Sequence, residues 1–267
     1  MPVYIGSLGR MVKLPYVGSQ QVQAEERYNF SSTLEGKRKA QVKPKGPRTW
    51  ALSADHFRPN EHSLLSQFAN GAWGPGPFIF VSADALVSNM LTPEAASCHP
   101  DSNSAVWVSG NGPVELPEVG WVPRSFMGNG TEPILFGSDY TPVRRGVRYS
   151  VSAFVFGEGS AVRANFYDAN GSLVGGQTST VTGNNSGFVR SHISIVPGAG
   201  VAGVIVSAVN AAITACPQIS EGPGSPLPWS DGQGCAKAVV HGVSRDQVLA
   251  VYGHTFSNVS FTVSEVG

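Results

Sequence analysis

The side chains that could do chemistry are scattered along the chain. Six histidines, His56, His62, His99, His192, His241 and His254, stand singly, without the spacing that puts two imidazoles on one metal ion. Hydrolysis needs a nucleophile beside a base, or two carboxylates across a cleft. The chain contains no G-x-S-x-G, H-E-x-x-H or phosphate-loop motif. Glu115 and Glu118 are neighbours separated by Leu116-Pro117, while Asp139, Asp168, Glu221 and Asp231 sit beside turns. The expectation is therefore a protein that is no enzyme and holds no cofactor and no metal. An enzyme acting on cell-wall polymer through Asp231 or Glu221 is the outlying alternative. Cys98, Cys216 and Cys235 lack metal-type spacing, and an odd count closes no disulfide framework. They are expected as buried thiols, with a Cys216–Cys235 bridge as the alternative because both flank one loop.

Binding suits these residues better than catalysis. Trp107, Trp121 and Trp229 could each stack on a pyranose face and offer an indole N–H to a hydroxyl, although the same residues serve as core or subunit-contact side chains. Trp229, inside the Pro- and Ser-rich segment 226–231, is the best candidate for exposure. Residues 37–48 (KRKAQVKPKGPR) hold six of the eighteen cations. Turn residues among them favour a solvated hairpin, and no interleaved aromatic supports a platform for single-stranded nucleic acid. The basic run is expected to face a partner protein or solvent.

The elements that must position such residues centre on 60–81 (NEHSLLSQFANGAWGPGPFIFV). Asn60 suits a helix start, Leu64, Leu65 and Phe68 share one face, and Gly71 suits a left-handed stop. Trp73, Gly74, Pro75, Gly76, Pro77 and Phe78 alternate residues that fix φ with residues that free it, which predicts a stiff, bent connector. A strand over 78–81 follows. Further strands are expected over 20–30, 32–42 and 48–54, the last with Trp50 and Leu52 on one face. The loop 82–101 closes this part.

This helix, the G-x-W-G-P-G-P-F connector and the later N-M-L-T-P (89–93) resemble the N-terminal module of actinobacteriophage minor tail proteins, which are similar to the distal tail protein of long-tailed phages. The resemblance implies a β-sandwich-like belt domain with one short helix over residues 1–92. It also implies a hexameric ring joining the tail tube protein above to the tail tip protein below, with the tape measure protein as a further neighbour and DNA passing through without specific binding. Its place would be the virion tail tip, assembled in the host cytoplasm.

Past residue 104 many short strands are expected, over 147–156, 161–167, 172–174, 188–196, 201–209, 212–219 and 258–265, with Asn170-Gly171 marking a tight hairpin. Val147, Tyr149, Val151, Ala153 and Val155 point to one side until Phe154 and Phe156 make both faces apolar. Such spacing predicts a two-sheet sandwich. Segments V-R-R-G-V-R-Y-S-V-S-A (143–153) and N-F-Y-D-A-N-G (165–171), with C-P-Q-I-S-E-G and Trp229, resemble carbohydrate-binding modules of the galactose-binding jelly-roll, galectin-like kind. A C-terminal jelly-roll over 93–267 is implied, and with it an alternative function as a virion adhesin for host glycans.

Whole-chain properties set the limits. At 267 residues two domains are expected. Charged residues at 13%, with Gly 32 and Pro 19, favour turn-rich β structure, and a net charge of +0 provides no field for nucleic acid or anionic membrane. Residues 1–16 lack the apolar run of a signal peptide, so the protein is expected to be made and kept in a cytoplasm. The uncharged stretch 193–219 is interrupted by Gly, Pro and Asn and reads as two buried strands, with no membrane insertion.

Overall fold

A computed structural model describes residues 2–14, 18–24, 28–32, 38–42, 47–98, 108–111, 113–128, 133–222, 228–251 and 254–266. The chain is mainly β, built from antiparallel sheets. In order, the elements are β1 (Val3–Ser7), β2 (Arg10–Leu14), β3 (Ser19–Ala24), β4 (Tyr28–Ser32), β5 (Arg38–Val42), β6 (Arg48–Phe57), α1 (Pro59–Ala69), β7 (Phe78–Val81), α2 (Ala83–Val87), α3 (Pro93–Ala96) and β8 (Val108–Asn111). Then come β9 (Val114–Leu116), β10 (Gly120–Val122), β11 (Ser125–Met127), β12 (Ile134–Leu135), β13 (Thr141–Pro142), β14 (Tyr149–Phe156), β15 (Ala161–Tyr167), β16 (Leu173–Thr178), β17 (Val189–Ile195), β18 (Gly203–Val209), β19 (Ile213–Glu221), β20 (Cys235–Val251) and β21 (His254–Glu265).

Two compact units divide the chain, and they do not follow the expected boundary at residue 92. The first comprises residues 1–3, 13–78 and 237–267; the second comprises 4–12 and 79–236. The C-terminal hairpin completes the first unit because β21 lies against β6, pairing Phe261 with Leu52 and Val263 with Trp50, while β3 pairs the other edge of β6. All four of those β6 and β21 side chains are buried. A bidentate ion pair closes the far end of the β6–β21 ladder: Arg48 Nε and Nη2 donate to Glu265 at 2.9 Å each, and the Arg48 backbone N–H adds 3.1 Å. Arg48, drawn from the basic run, is turned inward with its guanidinium over Trp50. The rest of the basic run, 37–47, lies outside the described side chains apart from Pro47.

Helix α1 starts two residues earlier than expected, with Arg58 rather than Asn60 at the cap. Pro59 occupies the first turn, where its missing N–H costs nothing, and the Arg58 backbone N–H donates to Glu61 Oε2 at 2.8 Å, so Asn60 is not the cap. Leu65 and Phe68 are buried and Leu64 is half-buried, while Gly71 takes φ +79° just beyond the last turn, as the sequence pattern predicts.

The second unit is a sandwich of two five-stranded sheets, ordered β17-β14-β19-β11-β8 and β12-β18-β15-β16, with β13 also on β18. Alternate residues of β14 (Tyr149, Val151, Ala153, Val155) meet Val162 and Ala164 of β15 and Val204, Val206 and Ala208 of β18 in one core. Phe154, on the opposite face of β14, belongs to a second cluster with Leu116, Val122, Ala215 and Cys216. Strands β18 and β19 account for the uncharged stretch. The expected hairpin at Asn170-Gly171 is present, β15 running antiparallel to β16 with Tyr167 opposite Leu173, and Asp168 Oδ1 organises its turn by accepting from the Asn170 and Ser172 amides at 2.9 and 2.8 Å.

The stretch read as a loop over 82–101 contains two short helices, so the single expected helix becomes three. Ser82 Oγ accepts from Ala85 N at 3.1 Å and Thr92 Oγ1 from Ala95 N at 3.3 Å, capping α2 and α3. Between them Asn89 is fully buried. Its Nδ2 donates to the carbonyls of Pro217 (3.1 Å) and Ser230 (3.0 Å), and its Oδ1 accepts from the amides of Leu91 (3.2 Å) and Ile219 (3.2 Å). One side chain thus fastens the 88–91 segment to β19 and to the 230–234 segment. Gly234 and Gly232 are required beside it, since a Cβ would lie 2.0 Å from the Met90 carbonyl and 2.4 Å from that of Thr92. Asn89→Ala strands four buried backbone groups and is expected to cost about 3 kcal/mol. In a thermal melt of the full chain this is a fall of roughly 6–12 °C in Tm.

Candidate interaction surfaces

The connector belongs to the first unit and grows from the end of α1. Trp73 N donates to Gln67 O at 3.1 Å and Gly74 N to Gly71 O at 3.0 Å, so the chain curls back on the helix before turning away. Gly74 and Gly76 hold φ +144° and +64°, values that side chains with a Cβ rarely adopt, and the Gly76-Pro77 peptide is cis. Phe68 is the anchor: its ring lies 4.8 Å from that of Trp73 and 5.0 Å, edge-on, from that of Phe78. Phe78 is buried, whereas Trp73 is 36% exposed, so the staple leaves one indole face at the surface.

The tryptophans of the second unit separate sharply. Trp121 sits on β10 opposite Glu115 of β9 and is 70% exposed, just after the left-handed Gly120. Arg190 holds this hairpin: Nη1 donates to Glu118 Oε2 at 2.9 Å, Nη2 donates to Gln218 Oε1 at 2.9 Å, and the guanidinium lies over Phe154. Trp229 is the reverse of the sequence expectation. It packs against the cluster around Leu116, Phe154 and Cys216, with its Nε1 buried and without a hydrogen-bond partner. Gln218 Nε2 donates to Pro228 O at 3.2 Å and keeps that segment in place. Trp107 lies outside the described residues, as does His99.

Three of the candidate carboxylates are held in structural contacts. Glu118 pairs with Arg190, Glu221 with Arg144, and Asp168 organises its loop. Among the described residues no group of three or more His, Cys, Asp and Glu is placed to hold a metal ion. No helix among them is long and apolar enough to cross a membrane. A small apolar cleft of about 10 Å³ lies between Tyr4, Met11, Leu86, Met90 and Tyr149, room for about one water and far too little for a small-molecule ligand. The Arg144 guanidinium beside it stacks on Tyr4 at 4.5 Å and is matched by Glu221. Burial raises the Tyr149 hydroxyl, which stays neutral and accepts from the Arg144 amide at 2.9 Å.

All three cysteines are buried thiols, none of them in a disulfide. Burial pushes the Cys216 thiol up to about 12 and the Cys98 thiol well above its ordinary value, so neither forms thiolate near neutrality.

No protein-family model and no curated protein matches the chain. Among solved structures it aligns with the infectious bursal disease virus VP2 subviral particle at 10% identity and TM-score 0.25, covering 100% of this chain and 68% of that one. The T=1 particles derived from the same virus align at 11% identity and TM-score 0.26, covering 100% and 66%. At these values the likeness carries neither a fold nor a function to this chain.

Two outcomes are expected. Trp229→Ala opens the Phe154 cluster and lowers stability by about 3 kcal/mol, whereas Trp121→Ala changes it by no more than about 0.5 kcal/mol, both read from denaturant melts. The native protein at pH 7.5 resists a thiol-reactive dye at all three cysteines and takes it up at all three once unfolded.

Proposed function

We propose that the chain is a virion structural protein, a ring-forming hub at the distal end of a phage tail that joins tail tube to tip. The observation that carries this reading is the aromatic staple: Phe68 clamped between Trp73 and Phe78 on a Gly/Pro connector whose backbone is bound to the end of α1. A preorganised turn with an indole at its surface loses little freedom when a neighbour docks on it. The resemblance of this segment and of 89–93 to phage minor tail proteins points the same way. Head-to-tail contacts between copies close into a ring when the rotation allows, and the six-fold number comes from the resemblance alone. In this reading the protein is no enzyme, consistent with Glu118 and Glu221 being held in ion pairs.

A second reading, a glycan-binding adhesin, is favoured by Trp121, an exposed indole on a hairpin tethered by Arg190. Trp229 does not support it.

Light scattering coupled to size exclusion, with electron micrographs of the purified protein, separates the two. The hub reading expects closed rings of about six copies, and Trp73→Ala is expected to shift them to smaller species while costing about 1 kcal/mol of monomer stability. A chain that stays monomeric at every concentration and loses a glycan-array signal in Trp121→Ala overturns the hub in favour of the adhesin.

A further inference from the structure

Strand β16 is the open edge of its sheet, and all six of its residues, Leu173–Thr178, are exposed, with Leu173 and Val174 at 59% and 52%. Sheet edges are usually blunted by charge, proline or cover. Edge strand β2 carries Arg10 and Lys13, and edge strand β17 carries Arg190 and His192. β16 carries neither charge nor proline. Edge strands β3, β8 and β12 are also uncharged, but β16 has a cation behind it.

That cation is Arg163 on β15, paired in register with Thr178. Its guanidinium lies against Gly176, where a Cβ would stand 3.1 Å from Nε and 3.3 Å from Nη2, so the glycine is what lets the arginine reach the edge. Nε is buried and has no hydrogen-bond partner, and the guanidinium enters no ion pair among the described residues. Asp168, the next carboxylate along the chain, is committed to its own loop amides. Gly175, at φ +155°, has open space where a Cβ would be, leaving bare backbone at the middle of the edge.

We infer that β16 is a docking edge for an extended segment of a partner protein bearing Asp or Glu. The incoming main chain adds a strand about 4.8 Å from β16, and its carboxylate takes the Arg163 guanidinium across the glycine pair. A second copy of this chain fits less well. Antiparallel self-pairing about Gly175 and Gly176 brings two unneutralised arginines to one face beside the two-fold axis. An acidic sugar would satisfy the guanidinium but leave the strand's outward N–H and C=O groups unpaired. The inference is independent of the tail-hub reading.

The test uses the full chain and fluorescein-labelled strand peptides of alternating Val and Thr, with Glu, Gln or Lys at the centre. The Glu peptide is expected to bind by anisotropy, to protect amides 173–178 from hydrogen exchange, and to weaken roughly tenfold against Arg163→Gln. Alternate N-methylation of its backbone abolishes binding. The inference is overturned if the Glu peptide fails to bind, or if the Lys or N-methylated peptide binds as well. It is equally overturned if sedimentation shows a dimer closed through β16, or if an acidic oligosaccharide alone binds through Arg163. Arg163 is half-buried, so unchanged circular dichroism and Tm of Arg163→Gln are required to separate lost binding from lost folding.

Discussion

Four hydrogen bonds from one buried amide hold the second unit together. Asn89 has two donors and two acceptor positions, and each meets a backbone group that no ladder satisfies: the carbonyls of Pro217 and Ser230, and the amides of Leu91 and Ile219. Proline at 217 in the middle of β19 removes a ladder donor, and Cys216 beside it takes a left-handed φ of +52°. The strand is therefore irregular where the register of β14 on β19 shifts, between Ser152 and Phe154. Asn89 stabilises that irregularity from one side, and Gln218, donating to Ser88 O at 3.0 Å and to Pro228 O, does so from another. A buried carbonyl left without a donor costs more than an average hydrogen bond contributes, so this one side chain carries more weight than its size suggests.

The same irregularity shapes the surface. The shift in β19 sets Phe154, Ala215 and Cys216 on the outer face of the sandwich, and Trp229 with the β9–β10 hairpin covers them. Covering is what leaves Trp121 outside: with Val122 and Leu116 turned in, alternation along β10 sends Trp121 to solvent. In the first unit the logic is aromatic. Phe68 ends the buried stripe of α1, and the connector folds so that Trp73 and Phe78 meet it from two sides. Among the described residues, the first unit therefore presents Trp73 from its connector and the second presents Trp121 from the β9–β10 hairpin, each backed by that unit's own core.

Local pattern was readable wherever one residue settles its own conformation. Trp50 and Leu52 on one face of β6, the inward row of β14, the stop at Gly71 and the mainly β character follow from period-2 and period-3.6 spacing and from glycine at positive φ. The caps at Ser82 and Thr92 were present in the sequence too, as hydroxyls ahead of short Ala-rich runs, but helices so short carry too little periodicity to announce themselves. Strand β20 was missed for a related reason: Gly242 at φ +62°, the register shifts after His241 and Gln247, and the Arg245-Asp246 pair break its alternation.

Pairing was decided only in three dimensions. Alternating strands are interchangeable by pattern, and nothing in 48–57 says that its neighbour is the C-terminal strand more than two hundred residues away, or that Glu265 will meet Arg48, |i−j| = 217. The first unit was legible as β structure but not as a discontinuous one. Burial followed the same rule. Trp121 and Trp229 are the same residue type in similar turn-rich sequence, and which indole faces water depends on the distant surface that covers it, a quantity absent from the local chain.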